Sequence, residues 1–143
     1  MALKLTLKPN ERVVINGCVI RNADRRQVFV IENRADVIRE NELIDEPPVT
    51  RPAARAYFLI QCAVMQSDLR DRLGPEIRDL LARLVPVYRP EIAQKVFEAA
   101  SNVSIGNHYM ALRAMRPVMQ HEDKVLAHIA AMNDAPPPAA AEG

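Results

Sequence analysis

Glu11-Arg12-Val13-Val14-Ile15-Asn16-Gly17-Cys18-Val19-Ile20-Arg21 is the stretch that decides the fold. Two runs rich in β-branched residues flank Asn16-Gly17, and both turn residues tolerate the positive φ of a type I′ turn. The spacing predicts a tight antiparallel hairpin. Upstream, Leu3, Leu5 and Leu7 alternate with Lys4, Thr6 and Lys8, so another strand precedes it, with Pro9-Asn10 as the turn. Downstream, Asn22-Ala23-Asp24-Arg25 reads as a turn and Gln27 to Glu32 as a strand. Asn33 to Asp36 turns again, and Val37-Ile38 begins a short last strand. Strands this closely spaced leave no room for the crossovers that parallel pairing needs. A small antiparallel meander or barrel is predicted over residues 1–46. So few strands are marginal alone and must pack on something.

The period changes after the stiff segment Glu46-Pro47-Pro48-Val49. Thr50 is a candidate helix cap, with Pro52 tolerated in the first turn. Phe58, Cys62 and Met65 then share a helix face with Ile60 and Val64 beside it. Gly74-Pro75 reads as the start of a second helix, carrying Ile77, Leu80, Leu81 and Leu84 and closed by Pro86. Pro90 starts a third, with Ile92, Val96 and Ala100. Gly106-Asn107 breaks the chain before a fourth, with Tyr109, Leu112 and Met115, which Pro117 is expected to kink or end. Val125, Ile129 and Met132 form a last stripe. The expected class is α+β: the β unit packed with a bundle of about four helices over residues 50–133, then a disordered Ala/Pro tail over 134–143.

Composition removes several classes of function. The 143 residues carry a net charge of +1, so nucleic-acid binding would need a local basic patch. No stretch approaches the roughly 20 apolar residues that span a bilayer, and Met1 to Asn10 is not a signal peptide. Cys18 and Cys62 form no CxxC pair and read as reduced thiols of a cytoplasmic protein. The four glycines make neither a GxGxxG nor a phosphate loop, and His108, His121 and His128 include no HExxH. Cys62 lies in an apolar stripe and reads as a core residue. Asp45-Glu46 and Glu122-Asp123 read as linker and solvated face, not as acid–base pairs. No catalytic residue, metal or cofactor is expected.

Charge is uneven along the chain. Residues 1–39 hold eight basic groups (Lys4, Lys8, Arg12, Arg21, Arg25, Arg26, Arg34 and Arg39) against Glu11, Asp24, Glu32 and Asp36. Placed at strand edges and turn tips, Lys4, Lys8, Arg12, Arg21, Arg25 and Arg26 are the candidate phosphate contacts. Asn16, Asn22 and Gln27 are candidate base contacts, because RNA sequence is read mostly from unpaired bases. The competing reading is that the basic groups solvate the sheet and protect its edges. In the helical half, Phe97 to His108 followed by Tyr109-Met110-Ala111-Leu112 is similar to one tetratricopeptide-type hairpin. One hairpin is not an array. Met110, Met115, Met119 and Met132 suit either core filling or partner binding.

Several strings resemble the FlbT family. They are Met1-Ala2-Leu3-Lys4-Leu5-Thr6-Leu7-Lys8-Pro9, Glu11 to Asn22, Ile31 to Ile38, Arg55-Ala56-Tyr57-Phe58, Val96 to Ala100 and Tyr109 to Pro117. The resemblance covers about residues 1–120 and departs in the Pro/Ala tail. It implies a role in flagellum biogenesis: binding the 5′ untranslated region of flagellin mRNA and repressing translation or promoting decay. The sign of regulation does not transfer, since some family members activate. The expected partners are the flagellin mRNA leader, with FlaF, flagellin and a second copy of the chain as further candidates. The alternative is an adaptor or chaperone-like module acting on FlaF or flagellin. The strand pattern of residues 3–44 is also similar to the carbon storage regulator family, whose outer-strand basic residues contact RNA.

Overall fold

The computed structural model describes residues 2–134, and the tail expected from residue 134 lies outside them apart from Asp134. Five strands come first: β1 (Leu3–Leu7), β2 (Arg12–Ile15), β3 (Cys18–Arg21), β4 (Gln27–Ile31) and β5 (Val37–Arg39). Four α-helices follow: α1 (Pro52–Met65), α2 (Arg70–Leu84), α3 (Pro90–Ser104) and α4 (His108–Asp134). The α+β class and the antiparallel pairing are those expected from the sequence.

The central hairpin forms as its turn residues dictate. Asn16 has φ 49° and Gly17 φ 80°, and β2 pairs β3 with Ile15 opposite Cys18. A Cβ added at Gly17 would sit 2.8 Å from the Val64 carbonyl oxygen, so the hairpin tip rests on the end of α1. The strand order is not sequential. β4 returns to β1, with Leu7 opposite Gln27, while β5 takes the free side of β2. Two small sheets therefore replace one meander. The cause is local. The Asn10 N–H donates to the Ala23 carbonyl at 2.8 Å, which holds the turn after β3 beside the end of β1 and aims β4 along it.

Successive residues of a strand face opposite ways, and β2 uses both faces. Val14, with Ile38 opposite, joins the main core of the helices. Val13 is buried on the other face, as are Leu5 and Leu7 of β1. α1 packs on α2 and α4 and is buried nearly all round, including Ala53, Ala56, Tyr57, Leu59, Ile60, Ala63 and Val64. The stripe read as its core face (Phe58, Cys62, Met65) is its half-buried side. Leu81, Leu112, Met115 and Val118 complete the core, so Met115 fills space rather than facing a partner.

Two prolines behave differently from expectation. α2 starts at Arg70, about a turn before Gly74-Pro75, and α4 runs through Pro117. In each case the carbonyl that loses its donor, of Asp71 or Arg113, belongs to an exposed residue. Packing holds α4 on both sides of Pro117, through Met115 before it and Val118, Met119 and Glu122 after it. Thr50 does not cap α1. Its first turn is capped by Glu122 of α4, which accepts from Ala53 N at 2.8 Å and Ala54 N at 3.1 Å. Glu122 is buried (7% exposed), so it does not sit on a solvated face.

Candidate nucleic-acid interface

The turn after β3 is organised by one side chain. Asn22 is 6% exposed, and its amide nitrogen donates to the carbonyls of Lys8 (2.8 Å), Arg25 (2.8 Å) and Leu7 (3.3 Å). The Lys8 and Arg25 backbones are thus within hydrogen-bond reach of a single nitrogen. Arg21 is drawn to the same end, where its Nη1 donates to the Asn10 carbonyl at 3.1 Å. Arg12 lies directly opposite Arg21 in the β2–β3 pair. Like charges placed opposite one another disfavour the pair unless an anion or a carboxylate is near. Glu40 comes to 3.5 Å of Arg12, and among the described residues no carboxylate reaches Arg21.

The fold therefore gathers Lys8, Arg12, Arg21, Arg25 and Arg26 at one end of the β unit. Gln27 is exposed at the start of β4 beside them. Lys4 stands apart, midway along β1 opposite Val30, and Asn16 is at the far hairpin tip. Among the described residues, Lys4, Lys8, Arg21, Arg25 and Arg26 form no ion pair. Asn22 is corrected by the structure: it builds this surface from beneath and cannot present its amide to a base. The Asn16 Oδ1 accepts from the Asp36 N–H at 2.8 Å and serves its own turn. Asn22→Ala should lower stability by about 1–3 kcal/mol, because three carbonyls each lose a donor, the Lys8 carbonyl keeping the Glu11 N–H. Urea midpoints check this.

Beside the cluster lies a partly buried ion pair. Glu11 accepts from Lys8 N at 2.9 Å through one oxygen and from Arg39 Nη2 at 2.9 Å through the other. The Lys8 backbone hydrogen bond, opposed by burial and aided by Arg39, holds the Glu11 carboxyl below its ordinary 4.5. A depressed folded value stabilises above the unfolded value and is lost as pH falls through the folded one. Glu11→Gln should therefore be less stable than the wild type at about pH 7, with the gap closing progressively below about pH 4.5. Urea midpoints across that range check the sign.

Three arginines extend the picture beyond the sequence reading. A cleft of ≈ 560 Å³ beside Lys8, Glu11, Arg39 and Asn41 adjoins a second, of ≈ 360 Å³, beside Arg39, Glu42, Arg113 and Arg116. Arg113 reaches Glu42 at 3.0 Å and Arg116 reaches it at 3.5 Å, while Arg39 is held by Glu11. Two carboxylates, Glu11 and Glu42, thus face these three arginines, whereas Lys8, Arg21, Arg25 and Arg26 at the turns have no carboxylate partner among the described residues. Only the i, i+3 spacing of Arg113 and Arg116 hinted at a shared face, and nothing local placed that face against Glu42.

Burial shapes the titration of groups elsewhere in the fold. Burial pushes the Cys62 thiol up, away from the thiolate form. His108 is buried, and desolvation lowers its pKa against a hydrogen bond with the Gly106 carbonyl. His121 packs edge-on to Tyr88, with ring centroids 5.8 Å apart. Among the described residues no three His, Cys, Asp or Glu side chains converge on a metal-sized space, and no helix is long and apolar enough to cross a membrane.

The family model described as flagellar protein FlbT matches residues 3–126. The chain belongs to the FlbT family. Among curated FlbT relatives, a probable flagellum biosynthesis repressor of Caulobacter sp. (strain K31) is 35% identical over 130 residues, covering 90% of this chain and 99% of its own. The flagellum biosynthesis repressor of Caulobacter vibrioides (strain ATCC 19089 / CIP 103742 / CB 15) is 34% identical, covering 90% and 92%. A probable repressor of Rhodopseudomonas palustris (strain TIE-1) is 35% identical over 135 residues, covering 89% and 99%. No solved structure matches the chain. The FlbT relatives are named for repression and not for a reaction.

Proposed function

We propose that the chain is a regulator of flagellum biosynthesis that binds the 5′ untranslated region of flagellin mRNA. In this reading it represses translation or promotes decay without catalysing a reaction, and works in the cytoplasm. The observation that carries the RNA contact is the cluster of Lys8, Arg21, Arg25 and Arg26, unpaired with carboxylates and braced by the buried Asn22. Phosphates engage such turns directly, and counterion release supplies most of the affinity. Arg12 extends the positive surface along β2, and Lys4 supplies a separate phosphate contact further along β1. Gln27 is the side chain best placed to meet an unpaired base. Repression follows if the bound protein masks the leader from the ribosome.

A second reading has its own observation. Beyond Glu122, α4 leaves the bundle and exposes Val125, Leu126, Ile129 and Met132 on successive turns. Such a stripe suits docking on a partner helix, as an adaptor for FlaF or flagellin requires. Salt separates the two. Labelled flagellin-leader RNA, titrated beside a scrambled RNA at low and moderate salt, should bind selectively and weaken steeply as salt rises. Absence of binding near micromolar protein would reject the RNA reading and move the function to α4.

A further inference from the structure

β4 is written as an interior strand and placed at an edge. Val28-Phe29-Val30-Ile31 is an uninterrupted apolar run, the pattern of a strand covered on both faces. Its hydrogen-bonded neighbour is β1, and among the described residues its other side has none. Val28, Phe29 and Val30 are 52%, 46% and 60% exposed. Edge strands are normally blunted by a charge, a proline or a bulge, and Gln27–Ile31 contains no charge or proline. A two-stranded ribbon is also the least stable form of sheet.

We propose that two copies of the chain associate through β4, paired antiparallel about a two-fold axis at Phe29. The charges that flank the strand are self-complementary in that register. Val28 falls opposite Val30 of the second copy, and Arg26 opposite its Glu32, each one residue beyond the strand. The neighbouring registers that keep the faces aligned, centred on Val28 or on Val30, lose the Arg26–Glu32 pair. Residues directly opposite across an antiparallel pair interact, so that loss disfavours the slip. The result is a four-stranded sheet, β1-β4 followed by β4-β1 of the second copy, which covers the exposed valines' backbone edges and pairs Phe29 with its symmetry mate. A closed two-fold interface of this kind ends at a dimer. The interface shares Arg26 with the turn proposed to hold RNA, but its test is made on the protein alone and needs no RNA.

The test is mass in solution. The full chain, weighed by light scattering after size exclusion at micromolar concentrations and above, should give twice 16.0 kDa. Phe29→Lys should give the monomer mass with unchanged circular dichroism. Because Phe29→Lys also changes a residue of the β1–β4 ribbon itself, charge reversal supplies a second arm. Arg26→Glu or Glu32→Arg alone should weaken the dimer roughly tenfold, and the two together should restore it. A wild type that stays monomeric, reversals that do not rescue one another, or a dimer abolished by Ile129→Lys instead would each overturn the proposal.

Discussion

Glu122→Ala should lower the stability by about 2–4 kcal/mol, the largest single-residue loss expected outside the apolar core. A helix leaves its first backbone N–H groups without internal partners. In α1 that end is buried, so water cannot supply the acceptor. Glu122 does so with both oxygens, at 2.8 and 3.1 Å, and its charge meets the positive end of the helix dipole. Arg51 flanks the carboxylate at 3.5 Å. Truncation leaves two N–H groups without an acceptor and removes one of the two carboxylates beside Arg51. A fall of roughly 10 °C in Tm should accompany it. Glu122→Gln keeps an acceptor but not the charge, and should lose about half as much. Asp123→Ala breaks only a half-exposed pair with Arg51 and should change stability by less than about 1 kcal/mol. If Glu122→Ala proved as mild as Asp123→Ala, the tie between α1 and α4 would not exist as described.

Arg25→Ala combined with Arg26→Ala should weaken binding to the flagellin leader about tenfold or more at low salt. The same pair should flatten the dependence of log affinity on log salt by roughly 1.5–2, since each lost phosphate contact removes about one from the slope. Both side chains are exposed and unpaired in the described structure, so folding should be little affected. Adding Lys4→Ala and Lys8→Ala should deepen the loss. Arg83→Ala is the control: Arg83 is a surface cation on α2 paired with Asp79, far along the chain from the turns. An equal loss from Arg83→Ala would mean that net charge, not this surface, sets the affinity.

What was legible in the sequence was local. Asn16-Gly17 specifies its hairpin because two adjacent residues hold the unusual φ values themselves. The Gly106-Asn107 break and the Pro90 helix start are equally self-contained. What was not legible depended on residues distant in the chain. Thr50 looked like the cap of α1, yet the acceptor comes from a glutamate 69 positions beyond Ala53. Glu122-Asp123 looked solvated because its partner, a helix end, has no sequence signature. The order of the strands was hidden for the same reason, since it turns on contacts between the Asn10 and Ala23 turns. Pro75 and Pro117 misled because a proline's local cost does not count the packing that holds its helix.

The candidate surface was legible as composition but not as arrangement. Lys8, Arg12, Arg21, Arg25 and Arg26 were picked out by charge, and the fold brings them to one end. Lys4 and Asn16 matched the same pattern and lie elsewhere. Asn22 looked like a reader of bases because turn asparagines are usually exposed. Its burial follows from three carbonyls converging on one amide, a fact of three dimensions only.

The most direct test of RNA recognition by this surface is ultraviolet cross-linking of the full chain to flagellin-leader RNA, with the linked peptides read by mass spectrometry. The account predicts cross-links within residues 4–12 and 21–27, lost in competition with unlabelled leader and kept with scrambled RNA. Cross-links confined to α4, or none at a concentration that saturates binding, would contradict it.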